Sequence, residues 1–333
     1  MAESQQDLIF NPFIATVLCS LYILLLIGGL IGNIALLFAV ISRSALRRSS
    51  AHCLIANIAL VHCFLCLTSI PFTVLPPYLG GWYFGWIACH VAFLVTSAAV
   101  INLALTIITL AAERYYSVIH CQQDFVIFSS RYVCVTVFLI WITANLISLP
   151  YAAYASYETN SNTTAVPQCS ENFPDTPRKI FWTTTFLMTF SIPFLIGLVI
   201  YRSVFISLAQ TVFMEKLRSV SVARDAAAER RTSLVALKIS VMLGVCWLPL
   251  HLMNALYDFA GISLGRYGST LHLAVHIIAL TSVVLLPIIC FRGDESFRAS
   301  AGSALKKKEV DNGDKKPTPF VTKSQNEPLL EWL

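Results

Sequence analysis

Seven stretches of almost unbroken apolar residues, at about 13–41, 52–76, 88–112, 132–153, 180–201, 233–257 and 270–291, divide this chain of 333 residues. Each is long enough, as a helix rising 1.5 Å per residue, to cross a hydrocarbon core of about 30 Å. The connections are mostly short, so consecutive helices are expected to be antiparallel neighbours in one bundle. No internal repeat, low-complexity block or second domain interrupts the pattern. It predicts an all-α protein: an extracellular N-terminus over residues 1–12, a seven-transmembrane helix bundle over 13–304, and a charged, disordered tail over 305–333. Within the bundle region, Phe291–Arg298 reads as a short amphipathic eighth helix on the inner leaflet.

Composition agrees. The chain is 56% hydrophobic and 12% charged, with a mean hydropathy of +0.70, where a soluble domain carries about a quarter charged residues. Met1–Phe10 has no Lys or Arg and lacks the basic start of a cleavable signal peptide, so the first span is expected to serve as its own insertion signal. The net charge of +5 does not imply nucleic-acid binding, because the basic residues follow membrane topology. Arg43, Arg47 and Arg48 occupy the first connection. Arg202, Lys216, Arg218, Arg224, Arg230 and Arg231 occupy the fifth, and Arg292, Arg298 and Lys306 to Lys308 follow the last span. The alternate connections hold only Arg178, Lys179 and Arg266. Positive-inside bias therefore puts the N-terminus outside and the C-terminus in the cytoplasm, in a plasma-membrane protein. The glycosylation acceptor Asn162-Thr163-Thr164 falls outside under this topology. Of ten cysteines, seven lie in or at the ends of apolar runs and Cys121 in an inner connection. Cys89 and Cys169 remain on the oxidising side and make one bridge.

The third apolar run starts at Cys89 and ends in Glu113-Arg114-Tyr115, an interval of roughly 37 Å on a helix. The sixth holds Cys246-Trp247-Leu248-Pro249, where proline removes one intrahelical bond and permits a kink. Gly32-Asn33, Trp141, and Pro193 with Tyr201 recur at set places in other spans. Together these residues, over about 13–300, resemble the rhodopsin-like (class A) G-protein-coupled receptors. The resemblance implies an outer cavity for an extracellular ligand and an inner face for a heterotrimeric G protein and arrestin. It assigns the activation switch to Glu113, Arg114, Tyr115, Tyr201, Glu229, Trp247, Pro249 and Pro287, and a structural role joining helices one, two and seven to Asn33. Glu229 lies twenty residues before Pro249, about 30 Å along the axis and at the depth of Arg114. It is read as a latch on Arg114, against the plainer alternative of a solvated carboxylate contributing under about 1 kcal/mol.

The chain also departs from the family. His62 stands where most members carry an aspartate that holds sodium, and a neutral imidazole cannot supply that charge. His62 is read as a neutral histidine hydrogen-bonded inside the bundle, with proton sensing as the alternative. Leu286 and Cys290 replace the asparagine and tyrosine around Pro287, so the inner relay is altered. One orphan member of the family shares the His62 substitution and similar runs at Ile27–Ile31 and Ile70–Phe72. For the ligand pocket the expectation is Thr96, Val100, Thr185, Thr189, His251, Asn254, His272 and His276. Thr96, in place of an acid, argues against biogenic amines. A purine ligand at Asn254 and zinc held by the three histidines are minor alternatives. No catalytic constellation, cofactor or resident metal is expected, and the seventh span has no lysine for a retinal Schiff base. The competing class is a seven-helix protein that does not signal: a ligand scavenger, a partner of another receptor or, least favoured because the helix interiors lack ion-coupling acids, a transporter.

Overall fold

In the computed structural model, residues 12–119, 130–159, 166–215, 220–260 and 268–299 are described. The first eleven residues, Cys121, Asn162, Lys216, Arg218, Arg266 and the tail 305–333 lie outside the described residues. Among those described are seven helices long and apolar enough to cross a membrane. They are α1 (Pro12–Ser42), α2 (Ser50–Leu79), α3 (Gly85–Ile119), α4 (Tyr132–Ala153), α5 (Arg178–Gln210), α6 (Ala227–Tyr257) and α7 (Thr270–Gly293). α3 is the central post, packing against α2, α4, α5 and α6, while α1 closes the bundle against α2 and α7. Large apolar side chains such as Ile31, Val199 and Val245 lie exposed on the outer surface, as expected where the solvent is lipid.

Proline's missing N–H lies beside the irregular points of α2 and α5. α2 is interrupted at Thr68, where Ser50–Leu67 gives way to Ser69–Leu79 just before Pro71. In α5 a π-turn over Leu187–Ser191 precedes Pro193, with the Ile192 N–H bonded five residues back to the Leu187 carbonyl. α6 is part of one uninterrupted helix, Val220–Ala260, with Pro249 inside it. This is the helical extension before the sixth span that the helix-forming run Arg224–Arg231 predicts. α7 breaks at Thr281 between Gly268–Leu280 and Ser282–Gly293. Pro287 deprives the Val283 carbonyl of its helical donor, and Asn33 Nδ2 supplies the replacement at 2.7 Å. Gly32 permits that approach: a Cβ there would lie 2.6 Å from Pro287 Cγ.

The described residues form the expected all-α bundle, with one short two-stranded hairpin added outside the spans. Between α4 and α5, β1 (Ala155–Glu158) pairs antiparallel with β2 (Gln168–Glu171), Tyr157 opposite Cys169. The Cys89–Cys169 disulfide ties this hairpin to the start of α3 across 80 residues of sequence. The hairpin crosses the α2–α3 turn so closely that a Cβ on Gly81 would sit 1.9 Å from Val166 Cγ1, and the Trp82 N–H donates to the Pro167 carbonyl at 2.7 Å.

After α7 the chain is extended at Asp294 and helical again over 295–299. Phe297 is fully buried, its ring 5.2 Å from that of His52. His52 Nε2 lies 3.0 Å from Asp294 Oδ2, and the Ser296 N–H caps Asp294 Oδ1 at 2.8 Å. On the exposed side Arg231 reaches Glu295 at 2.7 Å, linking α6 to the eighth helix.

Candidate functional site

At the Arg114 end of α3 three charges share one contact. The Arg114 guanidinium donates in a fork to both carboxylate oxygens of Glu113, each at 2.6 Å. Its remaining arm donates to Glu229 Oε2 on α6, also at 2.6 Å, and Ser117 Oγ donates to Glu229 Oε1 at 3.3 Å. The Glu113 and Arg114 side chains are buried, whereas Glu229 is 42% exposed. Planar, bidentate pairing of this kind holds the guanidinium in one orientation. Arg114 and Glu229 thus lie at one depth on neighbouring helices. Tyr201 of α5 is buried with its hydroxyl 3.3 Å from Ser240 Oγ of α6. The Tyr115 ring packs edge-on to Tyr116.

Through the middle of the bundle, polar side chains are joined in a web. Asn57 Nδ2 donates to Asn102 Oδ1 and to Thr106 Oγ1, both at 2.8 Å, and the Trp141 indole donates to Asn57 Oδ1 at 2.9 Å. This joins α2, α3 and α4 through groups that would be costly to bury unpaired. Asn33 bonds its own helix at the Gly29 carbonyl and α7 at Val283. Its Oδ1 has no partner among the described residues, so the expected three-helix link reduces to two helices. His62 also corrects its expectation. It is fully buried, yet neither ring nitrogen has a hydrogen-bond partner among the described residues. Leu286 and Cys290 are fully buried, so the Pro287 half of α7 presents apolar side chains to its neighbours.

Of the eight expected pocket residues, Val100, Thr189 and His251 line one cavity between α3, α5 and α6, together with Trp247. His251 sits among rings, its centroid 5.2 Å from that of Phe190 and 6.2 Å from that of Trp247. Thr185 accepts a hydrogen bond from the Tyr151 hydroxyl at 3.1 Å. Thr96 and Asn254 are half-buried and outside the cavity wall. His276 is placed elsewhere. Its Nδ1 meets the Tyr22 hydroxyl at 2.9 Å and its Nε2 meets Ser69 Oγ at 3.2 Å, which makes it a buried fastener of α1, α2 and α7. His272 stacks on it with centroids 6.3 Å apart. The three histidines therefore do not share one face of the cavity, because His251 belongs to the α5–α6 aromatic cluster instead.

The profile of the family described as 7 transmembrane receptor (rhodopsin family) matches residues 32–289. The chain belongs to the rhodopsin family of seven-transmembrane receptors. It is accordingly a multi-pass membrane protein of the G-protein-coupled class and not an enzyme. It is 24% identical over 289 residues to the neuropeptide Y receptor type 6 of Mus musculus, which covers 83% of this chain and 77% of that one. It is also 24% identical over 299 residues to the neuropeptide F receptor of Drosophila melanogaster, covering 84% of this chain and 60% of the relative. With the QRFP-like peptide receptor of Branchiostoma floridae the identity is 22% over 304 residues, covering 89% and 79%.

Three constellations of this rhodopsin-family chain were not anticipated. They are the Tyr22–His276–Ser69 fastener, the His52–Asp294 clamp and the cradle of Asn102 and Thr106 around Asn57. The sequence signal available for each was a polar residue inside an apolar run, and a polar residue there requires a partner.

Proposed function

We propose that the receptor lies in the plasma membrane with its N-terminus outside, binds an extracellular peptide, and transmits that event to a heterotrimeric G protein, with arrestin as a further inner-face partner. The observation that carries this reading is the position of Arg114, gripped by Glu113 on its own helix and by Glu229 on α6. The Glu229 contact joins the α3 end that bears Arg114 to the helix that carries Pro249. Release of it frees α6 to swing about Pro249, opening a cleft, and frees Arg114 to enter the contact with the G protein. Tyr115, Tyr201 and Trp247 then act as the surrounding switch residues, and Pro287 shapes α7 beside them. Basic connections on one side and the Cys89–Cys169 bridge on the other support the orientation. Support for a peptide comes from the peptide receptors among the relatives, from Thr96 in place of an acid, and from the hairpin beside the outer end of α3. Its pocket takes Val100, Thr189 and His251 at the floor and Thr96, Thr185, Asn254 and His272 above them, with Asn162 as a glycosylation site.

Expression with a panel of G-protein dissociation sensors tests the reading. Ligand-free or peptide-stimulated coupling should disappear in Arg114→Ala at matched surface density. Silence of the native chain across all sensor subtypes, with peptides present, would favour the second reading of a non-signalling scavenger or receptor partner. That reading rests on the buried apolar Leu286 and Cys290 at the inner half of α7.

A further inference from the structure

Behind Trp247, between α3, α5 and α6, the helices enclose a cavity of about 50 Å³ that continues inward as far as Tyr201 and Ser240. Small residues leave it open. Gly197 is buried within α5, yet a Cβ built on it would meet nothing within 4 Å. Ala104 contributes only a methyl group from α3. Across from them Phe194 closes one wall, its ring packed so tightly on Gly244 that a Cβ there would lie 2.7 Å away. The cavity has a mouth on the outer surface. Leu198 and Val241 line it and are also 45% and 40% exposed. Their outward neighbours on the same helices, Leu195 and Val245, are exposed as well. In a membrane-spanning bundle this surface faces hydrocarbon.

The lining selects the occupant. It is predominantly apolar, and its hydroxyls are already engaged: Tyr201 with Ser240, and Thr189 with the carbonyl of Thr185. The polar groups left are the Trp247 indole N–H, which has no partner among the described residues, and His251, whose ring lies 6.2 Å from that of Trp247. A water site needs about 10–15 Å³ and several polar partners. The cavity has the bulk of roughly three to five waters, but polar partners only beside Trp247 and His251, so most of it is apolar space. A slim hydrocarbon chain fits such a space, and a fused-ring molecule does not. We propose that this cavity is an intramembrane site for the alkyl tail of a bilayer amphiphile, which enters sideways between Leu198 of α5 and Val241 of α6. The site goes beyond the peptide reading: it shares Val100, Thr189 and His251 with the floor of the proposed peptide pocket, and its test uses no peptide. Its binding energy comes from close packing against helix walls, because lipid tails are as apolar as the lining and no hydrophobic gain separates the two.

Labelling of the full-length receptor in cell membranes tests it, with a palmitic acid analogue that carries a diazirine along its chain and an alkyne for detection. The cross-link should map to the α5 or α6 segment bordering the cavity. It should be lost in Gly197→Leu, which fills the void without displacing backbone, and in Val241→Trp, which blocks the exposed mouth. Labelling unchanged in both variants would overturn the proposal. So would labelling spread evenly over the outward faces of all seven spans, which would mean adventitious bilayer contact only. Preferential labelling of the cavity by a diazirine sterol would overturn the alkyl assignment. The readout is covalent attachment, so loss of G-protein coupling in either variant does not decide it.

Discussion

Removing the Glu229 carboxylate isolates the latch from the rest of the Arg114 site. In Glu229→Ala, Arg114 keeps its two-armed contact with Glu113 at 2.6 Å and loses one arm to α6. The guanidinium is therefore not orphaned, and the 3–5 kcal/mol cost of stranding a buried charge does not apply. Two unit charges about 4 Å apart attract by roughly 4 kcal/mol at an effective dielectric of 20. Desolvation and solvent screening offset most of this, because the Glu229 side chain is 42% exposed. A hydrogen bond to a charged group contributes about 1.5–3 kcal/mol when well buried, and exposed pairs contribute about 0–1. A half-exposed one is set here at about 1 kcal/mol, which corresponds to about a fivefold change in the ratio of open to closed α6. Basal G-protein dissociation, normalised to surface density, should rise by up to that factor. Glu229→Gln keeps a hydrogen bond without the charge and should rise less. Basal activity at or below that of the native receptor in Glu229→Ala, with Arg114→Ala silent in the same assay, would refute the latch.

Three further outcomes are expected. Gly32→Ala drives a Cβ into the rigid Pro287 ring, whereas Gly28→Ala meets Val284 Cγ2 at an ordinary 3.5 Å. Overpacking of this kind costs about 1–3 kcal/mol, so the melting temperature in detergent should fall for the first variant and stay for the second. His276→Phe removes the bonds to Tyr22 and Ser69. It should destabilise the receptor by about 1–3 kcal/mol in the same melt, while the response per surviving receptor is retained. The third outcome concerns pH. Burial raises the Asp294 carboxyl, but hydrogen bonds from His52 and the Ser296 N–H, with attraction to His52, outweigh it and hold the acid below its usual value. A lowered folded-state value means that the stabilisation is complete above the usual carboxylate range. It is lost as the pH falls through the lower folded value. Hydrogen exchange over 295–299 should stay slow from neutral pH down to that range and quicken below it. Asp294→Asn should quicken it at neutral pH.

What could be read from the chain alone was whatever depends on distance along a helix axis. Apolar run length specified seven spans. The fixed rise per residue placed Glu229 level with Arg114, since both positions are counted from landmarks on their own helices. Pro193, Pro249 and Pro287 marked places where a helical bond must be missing. Rotation about each axis was not legible. The spans are apolar on nearly all sides, and lipid accepts the same side chains as the core, so no polar stripe marks the face that turns inward. For that reason His276 could be counted as one turn from His272 but not assigned to Tyr22 and Ser69 rather than to His251. Likewise His62 could be judged buried but not judged unpartnered. The hairpin depended on which residues of a long connection meet across the Cys89–Cys169 bridge. The clamp of His52 on Asp294 joins residues 242 positions apart. The cavity at Gly197 exists because helix positions in space leave a gap that no single helix encodes. Tertiary packing decided these, because only the mutual rotation of neighbouring helices determines which side chains meet.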